Sequence, residues 1–246
     1  MDLSVVVPVR NEAENILPLV AEISAALNQV GQPYEIIYVN DGSDDETATV
    51  LAGARETTPS LRVLTHPSSQ GQSRALISGI RAAQGAYIIQ LDGDGQNDPS
   101  AIPALWARLE QERADGEKIV ICGWRKNRKD TGWRRFSSRF AKWLRAILLG
   151  DRTPDTGCGL KLYPRDGFMN LPHFDHMHRF LPALFTRAGH RVISVAVNHR
   201  MREHGHSNYG TWDRVWAGIW DLMGVMWLQR RSRYPDIIET KPLKKD

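Results

Sequence analysis

Apolar and polar positions alternate in blocks through the first half of the chain. Leu3 to Val7 is a short apolar run closed by Pro8, and it predicts a buried strand. From Glu12 to Val30 the apolar residues Ile16, Leu19, Val20, Ile23 and Leu27 fall at helical spacing. Glu35 to Val39 predicts a second strand, closed by Asn40-Asp41-Gly42-Ser43, with Asp44 or Asp45 capping the helix that follows. Leu61 to Thr65 predicts a third strand, Gly71 to Gln84 a helix, Ala86 to Leu91 a fourth strand and Lys118 to Cys122 a fifth. Repeated βα units of this kind predict an α/β fold with a mainly parallel, twisted sheet flanked by helices on both faces. The pattern weakens after Gly123. Trp133 to Leu149 reads as a basic amphipathic helix, Thr153 to Gly159 as turns, His178 to Ala188 as a helix, and Gly189 to Val197 contains a further strand.

A second kind of helix closes the chain. Trp212, Trp216, Trp220 and Trp227 fall within roughly an 80° arc at 100° per residue, and Arg230-Arg231 follows at once. Indole favours a membrane interface and a basic flank favours anionic headgroups. A helix docked on the core, or in a dimer interface, has the same pattern. The expected division is residues 1–210 as the main domain and 211–246 as a Trp-rich amphipathic helix with a basic tail.

Length and charge narrow the field. The 246 residues suffice for one large domain, and the formal charge of +4 is modest. The distribution matters more, with nine Lys or Arg between Arg125 and Arg145 against one acid, Asp130. Such clusters predict an anionic partner: phosphate groups, a membrane surface or nucleic acid. Cys122 and Cys158 stand far apart, which predicts neither a disulfide framework nor a structural zinc site and suits a reducing, cytoplasmic setting. The chain enters a strand at once and holds no long apolar run, so neither a signal peptide nor a spanning helix is expected.

The most informative stretch is Gln90-Leu91-Asp92-Gly93-Asp94-Gly95-Gln96-Asn97-Asp98-Pro99. It leaves the predicted fourth strand, and Asp98-Pro99 reads as a helix start. Ligands bind beyond the carboxyl ends of strands in open α/β sheets. Two carboxylates and an amide at i, i+2 and i+4 suit a hard divalent cation, Mg2+ or Mn2+, and through it a diphosphate. Taken alone, the stretch is also compatible with a polar Asp/Gly turn. Three more segments fall at the same sheet edge: Pro8-Val9-Arg10-Asn11-Glu12, Asp41 to Thr47, and Gln70-Gly71-Gln72-Ser73-Arg74-Ala75 with Gly79 and Gly85. A separate cluster, His173-Phe174-Asp175-His176-Met177-His178, invites a zinc reading, although its spacing matches no usual finger.

Together these segments resemble the family 2 glycosyltransferases of the GT-A fold, and more narrowly the branch that transfers mannose or other sugars to polyprenyl (dolichol-type) phosphate. The resemblance runs from Val5 to about Gln229. It implies a Rossmann-like domain over residues 1–210, an inverting and metal-dependent transfer from a nucleoside-diphosphate sugar, and roles for particular residues. Pro8, Asn11, Glu12 and Asp41 match segments that hold the nucleoside. Asp92, Asp94 and Gln96 match the motif that holds the metal and the diphosphate. Arg125, Arg134 and Ser138 match positions that face the acceptor phosphate, and Asp155 a motif beside the donor sugar. Arg202, Gly205 and Ser207 match a loop that closes over the diphosphate, with Arg202 among the catalytic residues. Asn208 stands where relatives often have Lys, and Gln70 where Asn is frequent. The resemblance places the protein on the inner face of the cytoplasmic membrane as a peripheral protein, with no nucleic-acid partner and with room for a homo-oligomer. The alternative of another class is a non-catalytic module that binds nucleotide sugars or anionic lipids at the membrane.

Overall fold

The computed structural model describes residues 1–113, 118–126, 148–151, 153–201 and 211–231, with the backbone alone over 211–217. Its centre is a seven-stranded sheet. In chain order the strands are β1 (Leu3–Val9), β2 (Tyr34–Asp41), β3 (Leu61–His66), β4 (Tyr87–Gln90), β5 (Ile119–Arg125), β6 (Lys161–Pro164) and β7 (Arg191–Val197). Their spatial order is β3-β2-β1-β4-β6-β5-β7. Six run the same way, and β6 opposes both its neighbours. The helices are α1 (Ala13–Val30), α2 (Thr47–Thr57), α3 (Gln72–Ala82), α4 (Ile102–Glu112), α5 (Arg165–Met169), α6 (Leu181–Arg187) and α7 (Thr211–Arg231).

β1 is buried along its whole length because it lies between β2 and β4 with helices on both faces. Alternate residues feed two cores, as a period of two requires. Leu3, Val5, Val7 and Val9 pack with the α1, α2 and α4 face, where Ile16, Leu19, Val20, Ile23 and Leu27 form the predicted apolar stripe. Val6 points the other way, toward Ala75, Leu76 and Ile80 of α3. Gly79 lets α3 sit against β1, since a Cβ there would lie 2.5 Å from Val6 Cγ1. α1 ends at Gly31 in the left-handed conformation (φ 72°), with its N–H on Leu27 O at 3.1 Å.

Two elements depart from the sequence reading. β6 was not anticipated: four residues that begin with Lys161 and end with Pro164 carry too little alternation to register as a strand. The helix expected from His178 to Ala188 is divided into a 3-10 turn at Met177–Arg179 and α6, which restarts at Pro182 in its first turn. The predicted helix Trp133 to Leu149 lies outside the described residues save for its last two.

α7 divides its faces. Val225 is fully buried in the second core, with Leu222 and Met226 packed beside it. Ile219, Trp220, Met223 and Trp227 stand exposed, the last at 61%. Among the described residues no helix is long and apolar enough to cross a membrane.

Glu35 pins the amino end of the sheet. Its Oε1 accepts from Ser4 Oγ at 2.7 Å and from the Gln84 N–H at 2.6 Å, and Arg62 pairs with its Oε2. Burial raises the carboxyl, but these donors outweigh it and leave it below the ordinary carboxylate range. The stabilisation is therefore complete above the unfolded value of about 4.3 and is lost as pH falls through the folded value. Glu35→Gln is expected to cost about 1–3 kcal/mol at pH 7, measured by urea unfolding, and the gap to the parent is expected to close in acid.

Candidate active site

The carboxyl ends of β1, β2 and β4 open on one edge, and their loops are knitted together. Asn11 takes a left-handed backbone (φ 56°) that its short amide tolerates. Its N–H donates to Ser43 Oγ at 3.0 Å, its Nδ2 to Asp44 Oδ1 at 2.5 Å, and its Oδ1 accepts the Asp44 N–H at 3.0 Å. The Glu12 N–H donates to Thr47 Oγ1 at 3.0 Å, and Asp45 accepts the Thr47 N–H at 3.0 Å, although the cap position of α2 itself falls on Glu46 and on neither aspartate expected there. Pro8, Asn11, Glu12 and Asp41 thus share one edge.

Asp41 is buried and engaged by the protein itself. Its Oδ1 lies 2.7 Å from His66 Nδ1 and accepts the Gln70 N–H at 2.8 Å. Its Oδ2 accepts Ser69 Oγ and the Gly71 N–H, each at 2.8 Å. Burial raises this carboxyl, and the four donors return it to below its ordinary value. Gly42 makes the approach feasible, because a Cβ there would lie 2.5 Å from the Ser68 and Ser69 backbone. Asp41 thus shapes the 66–71 loop at this edge.

Asp92 sits deeper. Its Oδ1 accepts Gln72 Nε2 at 2.8 Å. Gly159 lies against its other oxygen, so that a Cβ would fall 2.1 Å from Oδ2 and 2.6 Å from Asn97 Oδ1. Burial and the neighbouring Asp94 carboxylate push the Asp92 carboxyl up to about 6, against the pull of Lys161 and Arg125. Asp94 Oδ1 accepts the Gln96 N–H at 3.1 Å. Asp98 caps the next turn as expected, accepting the Ser100 N–H at 3.0 Å. The strand end after β7 closes over this loop: Asn97 bridges His199, and the Arg200 N–H donates to Gln96 O at 3.1 Å. Arg200 also reaches Asp98 at 2.8 Å and Glu22 at 2.7 Å.

Arg125 and Asp155 form one unit. Nε and Nη2 of Arg125 donate to the two Asp155 oxygens at 2.6 and 2.9 Å. The resemblance had divided them between acceptor phosphate and donor sugar, whereas the geometry puts both at one place, with their charges matched. Arg134, Ser138, Arg202 and Ser207 lie outside the described residues.

Four neighbours of the site were not singled out for it. Gln72 lay within a quoted motif, but no role was given to it. Lys161 is buried on the unanticipated β6, with Nζ on Cys158 O. Asn97 Oδ1 and His199 Nδ1 are buried without a hydrogen-bond partner among the described residues. Burial, then Arg125, lowers the basicity of His199. Only its position after an apolar run hinted at a site.

The donor set fits a divalent cation. Asp92 and Asp94 repel each other in a partly dry cleft, and Asn97 Oδ1 is an orphaned oxygen beside Asp92. Among the described residues no group of three or more His, Cys, Asp or Glu could hold a metal, so an ion here would rest on two carboxylates with amide or ligand oxygens. In the histidine-rich cluster Asp175 meets Arg74, His176 meets Asp221 and His178 meets Ser73, while His173 Nε2 is buried without a hydrogen-bond partner among the described residues.

Comparison with known proteins agrees with this arrangement. Residues 4–171 match the family described as "Glycosyl transferase family 2". Dodecaprenyl-phosphate galacturonate synthase of Rhizobium johnstonii is 37% identical over 242 residues, spanning 96% of this chain and 69% of that protein. Undecaprenyl-phosphate 4-deoxy-4-formamido-L-arabinose transferase of an Enterobacter species is 36% identical over 209 residues, 84% of this chain and 62% of that protein. The chain thus spans less than two thirds of the second relative's length. Among solved structures, glucosyl-3-phosphoglycerate synthase of Mycobacterium tuberculosis with Mn2+, UDP-glucose and phosphoglyceric acid superposes with a TM-score of 0.66 at 18% identity, over 93% of this chain and 79% of that one. Mannosyl-3-phosphoglycerate synthase of Rubrobacter xylanophilus gives 0.69 at 16% identity, over 97% and 77%. These two show the fold, GT-A. The chain belongs to glycosyl transferase family 2 and is a glycosyltransferase.

Gly159→Ala would force the Asp92 carboxylate or the 158–159 turn to move. Sugar transfer is expected to fall about 100-fold while the thermal midpoint changes by a few degrees, checked by product formation and calorimetry.

Proposed function

We propose that this glycosyltransferase moves a sugar from a nucleoside diphosphate onto a polyprenyl phosphate, with inversion, at the inner face of the cytoplasmic membrane. The observation that carries the reading is the pair Asp92 and Asp94 at the carboxyl edge of the sheet, set against Lys161 and the Arg125–Asp155 unit. Further support comes from relatives named for dodecaprenyl-phosphate and undecaprenyl-phosphate transfer, and from a fold neighbour crystallised with Mn2+ and UDP-glucose.

The chemistry divides into two electrostatic tasks. A departing nucleoside diphosphate gains negative charge. Mg2+ or Mn2+ held by Asp92, Asp94 and Gln96 would supply neutralisation there when bound. The acceptor, a phosphate monoester with a second pKa near about 6, is already largely a dianion at neutral pH. A general base is therefore unnecessary, and the protein's work is to bring two anions together. Basic residues serve that end. Arg134 and Ser138 take the acceptor phosphate, Arg202 and Ser207 the diphosphate, on the strength of the family resemblance. Arg125, held rigid by Asp155, shapes the space between the two substrates. Pro8, Asn11, Glu12 and the loop built on Asp41 form the nucleoside side.

The exposed face of α7 gives access to a lipid substrate. Ile219, Trp220, Met223 and Trp227 form an apolar stripe, and Arg230 and Arg231 follow it. Such a surface suits the boundary between headgroups and acyl chains. The sequence leaves mannose or another hexose open, N-acetylated sugars and uronic acids included; one relative's name falls in the uronic class with galacturonate, and another's adds a formamido pentose.

Three measurements test the proposal. Nucleoside-diphosphate sugars screened against undecaprenyl phosphate should yield a glycosylated lipid phosphate and a free nucleoside diphosphate. Release of pyrophosphate, or no product from any donor, would contradict it. Asp94→Asn should reduce turnover at least about 100-fold with the fold intact, and near-normal activity in a chelator would remove the cation from the reading. Replacing Trp220 and Trp227 together by Ser should release the protein from anionic phospholipid vesicles in sedimentation, and unchanged binding would remove α7 from the membrane contact.

A further inference from the structure

Four consecutive residues at the start of α3 reach three other segments of the chain. Gly71 donates to Asp41 and Gln72 to Asp92, both at 2.8 Å, serving the edge already described. Ser73 Oγ lies 2.8 Å from His178 Nδ1, and Arg74 Nε donates to Asp175 Oδ1 at 3.0 Å. The last two contacts seize a loop, residues 173–180, for which the proposed reaction has no use.

That loop is wedged between the site and α7. Met177 is fully buried in the second core beside Phe180 and Val225. Ser73 accepts the His178 N–H at 3.4 Å, which leaves its own proton free to go to Nδ1. Burial, reinforced by Arg179 and Lys161, pushes the His178 imidazole down to about 3, so the ring stays a neutral acceptor. On the far side His176 Nδ1 lies 2.9 Å from Asp221 Oδ2 of α7. Asp221 adjoins Trp220 on the helix whose outer face is apolar. Three side-chain pairs, Asp221–His176, His178–Ser73 and Gln72–Asp92, therefore run from α7 to the site, joined by backbone between His176 and His178 and between Ser73 and Gln72.

We propose that His178 is a positioning residue for Asp92, acting through Ser73 and the Gln72 amide from a loop that His176 anchors to α7. Gln72 and Ser73 are consecutive at the start of α3, so the Ser73–His178 bond holds the backbone from which the Gln72 amide reaches Asp92. Positional errors on the ångström scale at such a carboxylate are costly to catalysis. The effect on turnover rests on the transfer reaction proposed above, whereas the linkage itself does not.

The test is a double-mutant cycle in the full chain. Gln72→Ala, Ser73→Ala and His178→Phe should each lower kcat about 10- to 100-fold at a thermal midpoint near that of the parent. Gln72→Ala combined with His178→Phe should lose no more than the worse single variant, because the two act in series. His178→Asn, which can still accept from Ser73, should recover much of the loss. Multiplying losses, or a folded Ser73→Ala with parental kcat, would overturn the proposal. Should the parent transfer no sugar, amide hydrogen exchange still decides the linkage. Residues 91–97 should exchange several-fold faster in Ser73→Ala, and unchanged exchange would refute it.

Discussion

β2 carries a buried carboxylate at each end, and the rest of the architecture is organised around them. Glu35 at the amino end gathers Ser4, Arg62 and Gln84, which belong to three separate segments. Asp41 at the carboxyl end gathers His66, Ser69, Gln70 and Gly71. A carboxylate removed from water without such donors would lose several kcal/mol of solvation. Each therefore acts as a demand that the surrounding chain must satisfy in one geometry. At the amino end the demand fixes how α3 returns to β4. At the carboxyl end it fixes where α3 begins, and with it where Gln72 and Ser73 point.

The site inherits its charge pattern from that framework. Asp92, Asp94 and Asp155 face Arg125 and Lys161, three acids against two bases among the described residues. Arg125 is bound directly to Asp155, and it and Lys161 both pull against the charge of Asp92. Burial first, and then the neighbouring Asp94 carboxylate, raise the Asp92 carboxyl against that pull. A cleft with this balance favours a further cation, and an arriving diphosphate then adds its own negative charge to be met. Arginine-rich segments that follow β5 and β7 in sequence suit that need.

Much of this was legible from the chain, for reasons that differ between regions. β1 to β5 could be read because central parallel strands are apolar runs and the α1 stripe repeats with helical period. The acidic loop could be read because Asp92 and Asp94 follow such a run directly. β6 escaped because burial of Lys161 contradicts composition, and only the tertiary partners Cys158 O and the acidic loop make it tolerable. The Arg125–Asp155 pair escaped because its partners are thirty residues apart, and no local pattern links them. Asp41 was located correctly, but its four internal donors come from a loop whose path cannot be deduced from spacing.

α7 shows why a single helical stripe can leave two explanations standing. Its tryptophan arc was compatible with docking or with a lipid surface, and the fold packs one face of the helix and leaves the other exposed. Val225, Leu222 and Met226 supply the docking face, while Gln229 and Asp221 add polar ties to Leu149 and His176. The exposed face retains Trp220, Met223 and Trp227, each more than half exposed. Burying that stripe in the protein would have required a second apolar surface, and the docking face is already complete without it. Leaving large apolar groups in water carries a standing free-energy cost of about 1.5–3 kcal/mol per side chain, which a lipid surface or a partner would remove. The same helix also holds His176, so the element that the proposed lipid contact would use is tied to the loop that Ser73 and Arg74 of α3 hold beside the cleft.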